Sequence, residues 1–213
     1  MSEAKLIHIV DDDDSVRRSV GFMLKTAGFL VKSYASGTEL VRDAKKLEPG
    51  CIVLDIRMPG MDGLEAQQEL QQLGVDLPVI IMTGHGDIPL SVRAMKAGAI
   101  DFIEKPFEKA TLLAAIEQAF ASMSRSDSGR ERGKNAAIRL QALTPRERDV
   151  LDGLAKGLPN KTIAYDLGIS PRTVEIHRAN LMTKLEVRSL SEALRLAFAA
   201  EGDRKATEPE PGK

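Results

Sequence analysis

The alternation of short apolar runs with helical patterns constrains the fold of this chain more than any other feature. Five short runs are rich in apolar residues, and they lie at 6–10, 29–34, 51–54, 77–82 and 101–104. Between them, apolar residues recur at spacings of three and four, as in an amphipathic helix. Strands that are apolar on both faces need helices on both sides, so the pattern predicts an α/β domain with a (βα)5 doubly wound parallel sheet.

Length and cysteine usage limit the class of protein. The 213 residues exceed a typical domain of about 100 to 150 residues, which favours two compact units. A single cysteine, Cys51, excludes an intramolecular disulfide and a Cys-rich zinc site. No apolar run approaches the roughly 18 residues that a membrane span needs, and the N-terminus lacks the pattern of a secretory signal. We therefore expect a cytoplasmic protein without a membrane partner.

Charge divides the chain into an acidic front and a basic back. Residues 1–123 contain 13 Lys+Arg and 18 Asp+Glu, whereas residues 124–200 contain 14 and 9. The stretch from Ser122 has no apolar periodicity and is rich in Ser, Gly and charge, which is typical of a linker. We predict an α/β domain at 1–122, a linker at 123–138, an all-helical domain at 139–200 and a disordered tail at 201–213.

Polar residues follow four of the five predicted strands. In an open parallel sheet, the ligand site lies beyond the carboxyl ends of the strands, so these residues are expected to converge on one crevice. They are Asp11 and Asp12 after the first strand, Asp55 after the third, Thr83 after the fourth and Lys105, followed by Pro106, after the fifth.

Clustered carboxylates without His or Cys indicate a hard divalent cation, Mg²⁺ or Mn²⁺. Asp55 stands alone before a loop that contains Pro and Gly, so it is a candidate nucleophile that forms an aspartyl phosphate. Lys105 would then pair with a phosphoryl oxygen. Asp13 and Asp14 fall at the start of the next helix, where negative charge favours the helix dipole, and we expect them to be capping or solvated residues.

The basic half reads as a set of helices with recognisable starts. Thr144, Pro145 and Glu147 form a capping-box pattern, and Ser170 with Pro171 forms a second start. The segment "NKTIAYDLGISPRTVEIHRANLMTKL" is a short helix, a turn with Gly and a longer helix, which is the helix-turn-helix pattern. His177 falls on the apolar stripe of the second helix, which favours core packing.

The opposite face of that helix suits the DNA major groove, since Arg reaches phosphate or guanine and Glu accepts from cytosine. The candidate residues on this face are Arg172, Glu175, Ile176, Arg178 and Ala179. Residues near helix starts are candidate phosphate contacts, and these are Lys161, Thr162 and Thr173. The modest positive charge of this half favours a dimer on paired half-sites.

Three segments, "HIVDDDDSVRRS", "CIVLDIRMPGMDGLE" and "VIIMTGHGDIPLSVRAMKAGAIDFIEKPF", together resemble the receiver domain of bacterial response regulators. The resemblance implies that Asp55 is the phosphoacceptor and that Thr83 hydrogen-bonds the phosphoryl group. It also implies that Lys105 pairs with that group and that its bond to Pro106 is cis. The implied Mg²⁺ ligands are Asp12, Asp55 and the carbonyl of Arg57, with Asp11 assisting. Thr83 and Phe102 would be the switch residues, and residues 88–106 would change shape.

The helical half resembles the four-helix DNA-binding domain of LuxR type, and "TVEIHRANLMTKL" is close to the FixJ branch of that family. Together the halves indicate a response regulator of the FixJ type, a regulator rather than a turnover enzyme. The implied partners are a sensor histidine kinase, promoter DNA, RNA polymerase and a second copy after phosphorylation. Glu175 departs from members with a basic residue there, so their DNA preferences do not transfer.

Three alternatives stay open. A phosphatase or phosphotransferase of the haloacid dehalogenase type would also use an aspartyl nucleophile, but it needs a D-x-D motif, and Asp55 is followed by Ile56 and Arg57. A ligand-sensing LuxR regulator would need an apolar pocket in the front half. A FixJ-type regulator that acts without phosphorylation would keep the fold and lose the switch.

Overall fold

The structure is a computed structural model that describes residues 5–84, 88–123 and 129–207. The chain divides into two compact units, of which the first contains a β-sheet and the second contains the C-terminal helices. No helix within the described ranges has the length and apolar composition needed to span a membrane.

Within the described residues, five strands form one parallel sheet in the order β2-β1-β3-β4-β5. This is the flavodoxin-like doubly wound order, in which the strand order reverses beside β1. The strands are β1 (Leu6–Val10), β2 (Leu30–Tyr34), β3 (Gly50–Asp55), β4 (Val79–Thr83) and β5 (Asp101–Glu104). Each overlaps one of the five apolar runs, so the predicted fold class is confirmed.

Helices connect successive strands, as parallel pairing requires, and one more helix follows the last strand. They are α1 (Asp14–Thr26), α2 (Gly37–Arg42), α3 (Gly63–Gln72), α4 (Ile88–Lys96) and α5 (Lys109–Met123), with a short 3-10 helix at Ala44–Lys46. Three of them begin at an acidic or hydroxyl N-cap, which satisfies a backbone N–H of the first turn. These N-caps are Asp13, Ser36 and Asp62.

The main core of the first unit lies between the sheet and helices α1 and α5. Residues alternate between the two faces of a strand, and one set of alternate positions faces these helices. The core contains Ile7, Ile9, Cys51, Val53, Ile80 and Met82 of the strands, packed on Val20 and Leu24 of α1 and on Leu112 and Ile116 of α5. Because every residue of β3 is buried, the strand that carries Asp55 has little freedom to move.

The second unit contains α6 (Gly129–Leu140), α7 (Pro145–Ala155), α8 (Asn160–Leu167), α9 (Pro171–Lys184) and α10 (Leu190–Thr207). Thr144 and Glu147 form the predicted capping box, and Ser170 caps α9 with Pro171 in its first turn. Gly168 ends α8 in the left-handed conformation at φ 66°, which glycine adopts without strain. The predicted four helices are therefore α7–α10.

Two segments differ from the sequence expectation. The second half of the predicted linker at 123–138 is helical, because α6 packs against α10 and buries Ala136 and Leu140. Of the predicted disordered tail at 201–213, residues 201–207 belong to α10. Helix-forming Arg, Lys and Ala precede the first helix-breaking proline of the tail, Pro209. Residues 124–128 and 208–213 lie outside the described ranges.

Gly63, the first residue of α3, lets that helix begin against the end of β3. Its N–H donates to the carbonyl of Ile56 at 3.0 Å. A Cβ at this position would collide with the carbonyl oxygen of Asp55 and would lie 2.9 Å from the Cα of Ile56. The "MDG" segment therefore needs glycine at 63 because of this close approach, and the contact fixes the backbone that carries Asp55.

We expect Gly63→Ala to lower the free energy of unfolding by about 2 kcal/mol, since the added methyl group meets rigid backbone atoms. Gly21→Ala is the matched control. A Cβ at Gly21 would lie 3.8 Å from Ile9 and Val31, so the change should stabilise helix α1 by about 0.5 kcal/mol. Urea unfolding of the three proteins checks both signs, and equal stabilities of the two variants would contradict the close approach.

Candidate functional site

The carboxyl edge of the sheet brings together side chains from three strand ends. Asp11 follows β1, Asp55 ends β3 and Lys105 follows β5. The Nζ of Lys105 lies 2.6 Å from Oδ2 of Asp11 and 2.5 Å from Oδ1 of Asp55. Asp11 is 1% exposed and Asp55 is 6% exposed. One ammonium group therefore neutralises two nearly buried carboxylates.

Backbone N–H groups hold the second oxygen of each carboxylate. Oδ1 of Asp11 accepts from the N–H of Asp13, and Oδ2 of Asp55 accepts from the N–H of Arg57, both at 2.9 Å. In addition, Nη1 of Arg17 donates to the carbonyl of Asp11 at 2.7 Å. Both carboxylates are thus fixed in orientation, with Oδ1 of Asp55 turned towards Lys105.

The pKa values reflect this burial. Burial raises the pKa of the Asp55 carboxyl above its usual value, and the hydrogen bond and charge of Lys105 offset only part of the effect. Burial alone would lower the pKa of Lys105, but its hydrogen bonds with Asp11 and Asp55 raise that pKa overall. The negative charge of Asp55 is therefore held at an energetic cost, as in many functional sites.

The remaining predicted site residues lie on β4 and β5 or just after β3 and β5. The buried Thr83 ends β4, and its hydroxyl donates to the carbonyl of Gly84 at 3.3 Å. Phe102 is half-buried in β5, and Arg57 is exposed. The Lys105–Pro106 peptide bond is cis.

The four carboxylates at residues 11–14 have different environments. Asp13 is the N-cap of α1 and accepts from the N–H of Ser15 at 2.7 Å, and this hydrogen bonding lowers its pKa. Asp14 lies in the first turn and forms an ion pair with Arg17 at 3.1 Å. Asp13 is therefore a capping residue and Asp14 is an exposed first-turn residue, in agreement with the expectation that the two are capping or solvated residues. Asp12 is exposed, whereas Asp11 points into the site.

The predicted metal ligands lie at or just after the carboxyl ends of β1 and β3. Among the described residues, no three His, Cys, Asp or Glu side chains form a ready-made metal site. Lys105 lies against both Asp11 and Asp55. The donor set itself fits Mg²⁺, since these side chains offer hard carboxylate oxygens at one edge of the sheet. The ammonium of Lys105 contacts one oxygen of each of Asp11 and Asp55.

The second unit presents the predicted helix-turn-helix, formed by α8, the turn at Gly168 and α9. The candidate contact residues that are exposed are Lys161, Thr162, Arg172, Glu175, Ile176 and Ala179. Thr173 is half-buried, and its hydroxyl is 2.8 Å from that of Ser170. Val174, Leu181 and Leu185 form the buried stripe, while His177 is half-buried rather than fully in the core.

Arg178 has an intramolecular role besides the predicted DNA contact. Its Nη1 donates to Oδ1 of Asn160 at 3.1 Å, which joins the middle of α9 to the start of α8. Burial lowers the pKa of its guanidinium. The sequence reasoning missed Asn160 and also Arg17. For Arg17, its spacing from Asp14 on α1 was an available signal, whereas Asn160 and Arg178 are 18 residues apart and offered none.

Contacts with α7 and α6 support the other end of α9. Nζ of Lys184 donates to Oε2 of Glu147 at 2.8 Å, although Glu147 is almost fully buried. Burial by itself would raise the pKa of Glu147, but the hydrogen bonds of Lys184 and Thr144 lower it overall. Arg139 of α6 donates to the carbonyl of Leu185. Helix α9 is therefore held along its length, so its exposed face has a defined orientation.

Comparison with known families supports both units. Residues 7–117 match the response regulator receiver domain. Residues 141–197 match the bacterial regulatory proteins of the luxR family. The chain is a response regulator of the FixJ type. It contains a receiver domain and a LuxR-type DNA-binding domain, and it is a transcriptional regulator of a two-component system.

The relatives match over nearly the whole regulator. This chain is 49% identical over 203 residues to the transcriptional regulatory protein FixJ of Azorhizobium caulinodans, and the match covers 94% of this chain and 95% of that protein. It is 48% identical over 193 residues to FixJ of Rhizobium meliloti, covering 91% and 95%. The crystal structure of full-length FixJ from B. japonicum matches with a TM-score of 0.56 and 44% identity, covering 93% and 98%.

We expect Asp55→Asn to raise the free energy of unfolding of the regulator by about 1 kcal/mol near neutral pH, without divalent cations. Because the pKa of Asp55 is raised on folding, the folded chain binds the proton more tightly than the unfolded chain. The charged Asp55 carboxylate therefore does not destabilise the folded wild type in acid, and its destabilising effect appears as pH rises through the folded-state pKa. Urea unfolding across this pH range checks the gain.

The exposed Asp12→Asn serves as the control for this pH series, because its carboxylate stays hydrated in both states. If the gain in free energy of unfolding from Asp55→Asn were largest in acid, this would contradict the burial of the Asp55 charge in the wild type.

Proposed function

We propose that a sensor histidine kinase transfers a phosphoryl group to Asp55 and that this transfer controls promoter binding. The observation that carries the proposal is the contact of one ammonium, that of Lys105, with Asp55 and Asp11 at the sheet edge. Such a site holds a positive charge beside a carboxylate whose position is fixed by backbone hydrogen bonds. Phosphoryl transfer depends mainly on this kind of positioning and charge stabilisation.

In the proposed reaction, a carboxylate oxygen of Asp55 attacks the phosphorus of the kinase phosphohistidine. The oxygen–phosphorus bond forms while the phosphorus–nitrogen bond breaks, and the electron pair returns to the imidazole, which takes up a proton. Lys105, already 2.5 Å from Oδ1 of Asp55, would then pair with a phosphoryl oxygen. Thr83, at the end of the neighbouring strand, would donate its hydroxyl to another.

Receiver domains generally bind Mg²⁺ at the phosphorylation site. We propose that Asp12, Asp55 and the carbonyl of Arg57 hold Mg²⁺ or Mn²⁺ here, with Asp11 assisting. The cation would neutralise charge on the phosphoryl oxygens. Because Lys105 contacts Asp11 and Asp55, its ammonium would compete with the cation for these carboxylates.

We expect Lys105→Met to lower the dissociation constant for Mg²⁺ about tenfold, because removal of a cation within about 4 Å of the site strengthens binding of another. Isothermal titration with MgCl₂ measures the change. Lys109→Met, which removes an exposed lysine from α5, is the matched control and should bind Mg²⁺ like the wild type. Unchanged or weaker binding by Lys105→Met would show that the ammonium does not compete.

A groove beside the site suits the kinase. It is lined by Val16, Ser19 and Met23 of α1 and by Pro106 and Phe107 after β5, and it reaches Lys105. Phe22, one turn from Ser19 on α1, is exposed. We propose that the histidine-bearing helix of the kinase lies in this groove, because its histidine would then approach Asp55 from the open side of the sheet edge.

We propose that residues 88–106, which follow β4, respond to phosphorylation. The added phosphoryl group brings a charge of about −1.5 to −2, and Thr83 would move towards it while Phe102 turns inward. Residues 88–106 would then change shape and favour a receiver homodimer. Phosphorylation shifts this equilibrium only through its different affinity for the two states.

The dimer would place two DNA-binding domains on paired half-sites of a promoter and would engage RNA polymerase. The proposed base and phosphate contacts are Lys161, Thr162, Arg172, Thr173, Glu175, Ile176, Arg178 and Ala179. We propose that the receiver domain spans 1–122 and that the DNA-binding domain includes α6 and continues to the end of α10, beyond the predicted bounds of 139–200. The regulator would act in the cytoplasm, where the promoter lies, and would not turn over a substrate.

The experiment compares wild type, Asp55→Asn and Asp76→Asn after incubation with acetyl phosphate and Mg²⁺. Wild type and the exposed control Asp76→Asn should each gain one acid-labile phosphate by mass spectrometry, whereas Asp55→Asn should gain none. Phosphate on Asp55→Asn would contradict the assignment of the phosphoacceptor. Continuous turnover of phosphoesters by the wild type would favour an enzyme instead.

Lys105→Ala separates phosphorylation from response. This variant should still accept phosphate on Asp55. The factor by which phosphorylation raises its affinity for duplex DNA should be at least about three times smaller than in the wild type, because the phosphoryl group loses its ion-pair partner. Fluorescence anisotropy with and without acetyl phosphate measures the rise. A full response in Lys105→Ala would remove Lys105 from the switch.

A further inference from the structure

Tyr165 is the most exposed of the large apolar side chains in the described residues. It lies on α8, and 87% of its surface is accessible, whereas Tyr34 is almost fully buried in the receiver domain. Tyrosine is enriched at binding interfaces, because its ring packs against the partner while its hydroxyl forms a hydrogen bond. Tyr165 is not among the contact residues assigned above.

The position of Tyr165 on α8 relates it to two candidate phosphate contacts. Lys161 precedes it by four residues and Thr162 by three, and all three residues are exposed. Each residue advances about 100° around the helix axis. The Tyr165 side chain therefore lies one turn beyond Lys161 and Thr162 and points in a direction between theirs. The three residues therefore form one surface, which we call the α8 face. Asp166 borders this face on the side of Thr162.

The α8 face has a fixed relation to the recognition helix α9. The hydrogen bond from Arg178 to Asn160 joins the start of α8 to the middle of α9, and only Gly168, Ile169 and Ser170 separate the two helices. In a helix-turn-helix, the second helix enters the major groove while the first crosses the phosphate backbone. The phosphate backbone that flanks α9 would therefore run along α8.

We infer that the hydroxyl of Tyr165 donates a hydrogen bond to a DNA phosphate oxygen, beside the phosphate contacts of Lys161 and Thr162. Residues 124–200 contain 14 Lys+Arg against 9 Asp+Glu, so the charge of this half is complementary to DNA. A tyrosine hydroxyl contacts phosphate without carrying charge, and it adds affinity that does not depend on base sequence. This inference deepens the proposed function and depends on the orientation of α8 and α9 on DNA proposed there.

Two protein variants separate the hydroxyl contact from a charge contact. The full chain with Mg²⁺ and beryllofluoride is titrated into a fluorescent duplex of mixed sequence at several NaCl concentrations. Tyr165→Phe should weaken binding about fivefold at every salt concentration, because it removes one charge-assisted hydrogen bond. It should leave the salt slope unchanged. Lys161→Met should weaken binding and also reduce the slope by about one.

Ile138→Ala is the matched control, because Ile138 is another exposed apolar residue of the same unit, 64% accessible, on α6. It should bind DNA like the wild type. Thermal unfolding confirms that Tyr165→Phe remains folded, as expected for loss of a surface hydroxyl. Sedimentation of wild type and Tyr165→Phe with beryllofluoride reports whether the side chain acts at a dimer interface.

Unchanged DNA affinity of Tyr165→Phe would overturn the inference, and so would a loss of affinity that followed a loss of dimer. Both results would leave the DNA-binding function intact. A wild type that failed to bind duplex DNA would instead contradict the DNA-binding assignment and the inference together.

Discussion

The receiver domain depends on one interaction, in which the ammonium of Lys105 contacts two nearly buried carboxylates. Each carboxylate loses hydration when β1 and β3 pair in the sheet, and such a loss is tolerated only where opposite charge and hydrogen bonds replace water. Lys105 supplies the charge, while the N–H groups of Asp13 and Arg57 supply the hydrogen bonds. The arrangement joins the ends of three strands that are far apart in sequence. It also leaves two negative groups sharing one positive group, so the site can accept further positive charge.

The excess of negative charge, two carboxylates against one ammonium, connects the structure of this site with its proposed role in regulation. A buried carboxylate with a raised pKa, on a rigid backbone and beside an ammonium, has the features of many functional sites, and the proposed phosphoryl transfer would use them. The buried β3 and the close approach of Gly63 keep the backbone of Asp55 in place. The proposed switch would instead need flexibility in residues 88–106. In the second unit, by contrast, Lys184, Glu147 and Arg139 hold α9 as a fixed reading surface.

The sequence predicts the sheet and the location of the site well, for a physical reason. Apolar runs report burial on both faces, and parallel strands place their carboxyl ends at one edge, so Asp11, Asp55 and Lys105 could be brought together without coordinates. Helix starts such as Thr144 and Ser170 were also predictable, because capping is local. Contacts between distant segments were not. Helix α6 is stabilised by packing on α10, and the bond between Arg178 and Asn160 depends on how α8 and α9 cross. The contacts of Lys105 with Asp11 and Asp55, which are 94 and 50 residues away in sequence, were likewise not predicted in detail.

A double-mutant cycle between Lys105 and Asp55 tests the central interaction most directly. The free energies of unfolding of wild type, Lys105→Met, Asp55→Asn and the double variant are measured by urea denaturation without divalent cations. If the ammonium stabilises the buried carboxylate, the two changes are not additive, and the coupling energy is about 1–3 kcal/mol in favour of the pair. Additive effects within error would mean that Lys105 does not hold Asp55, and the site described above would be wrong.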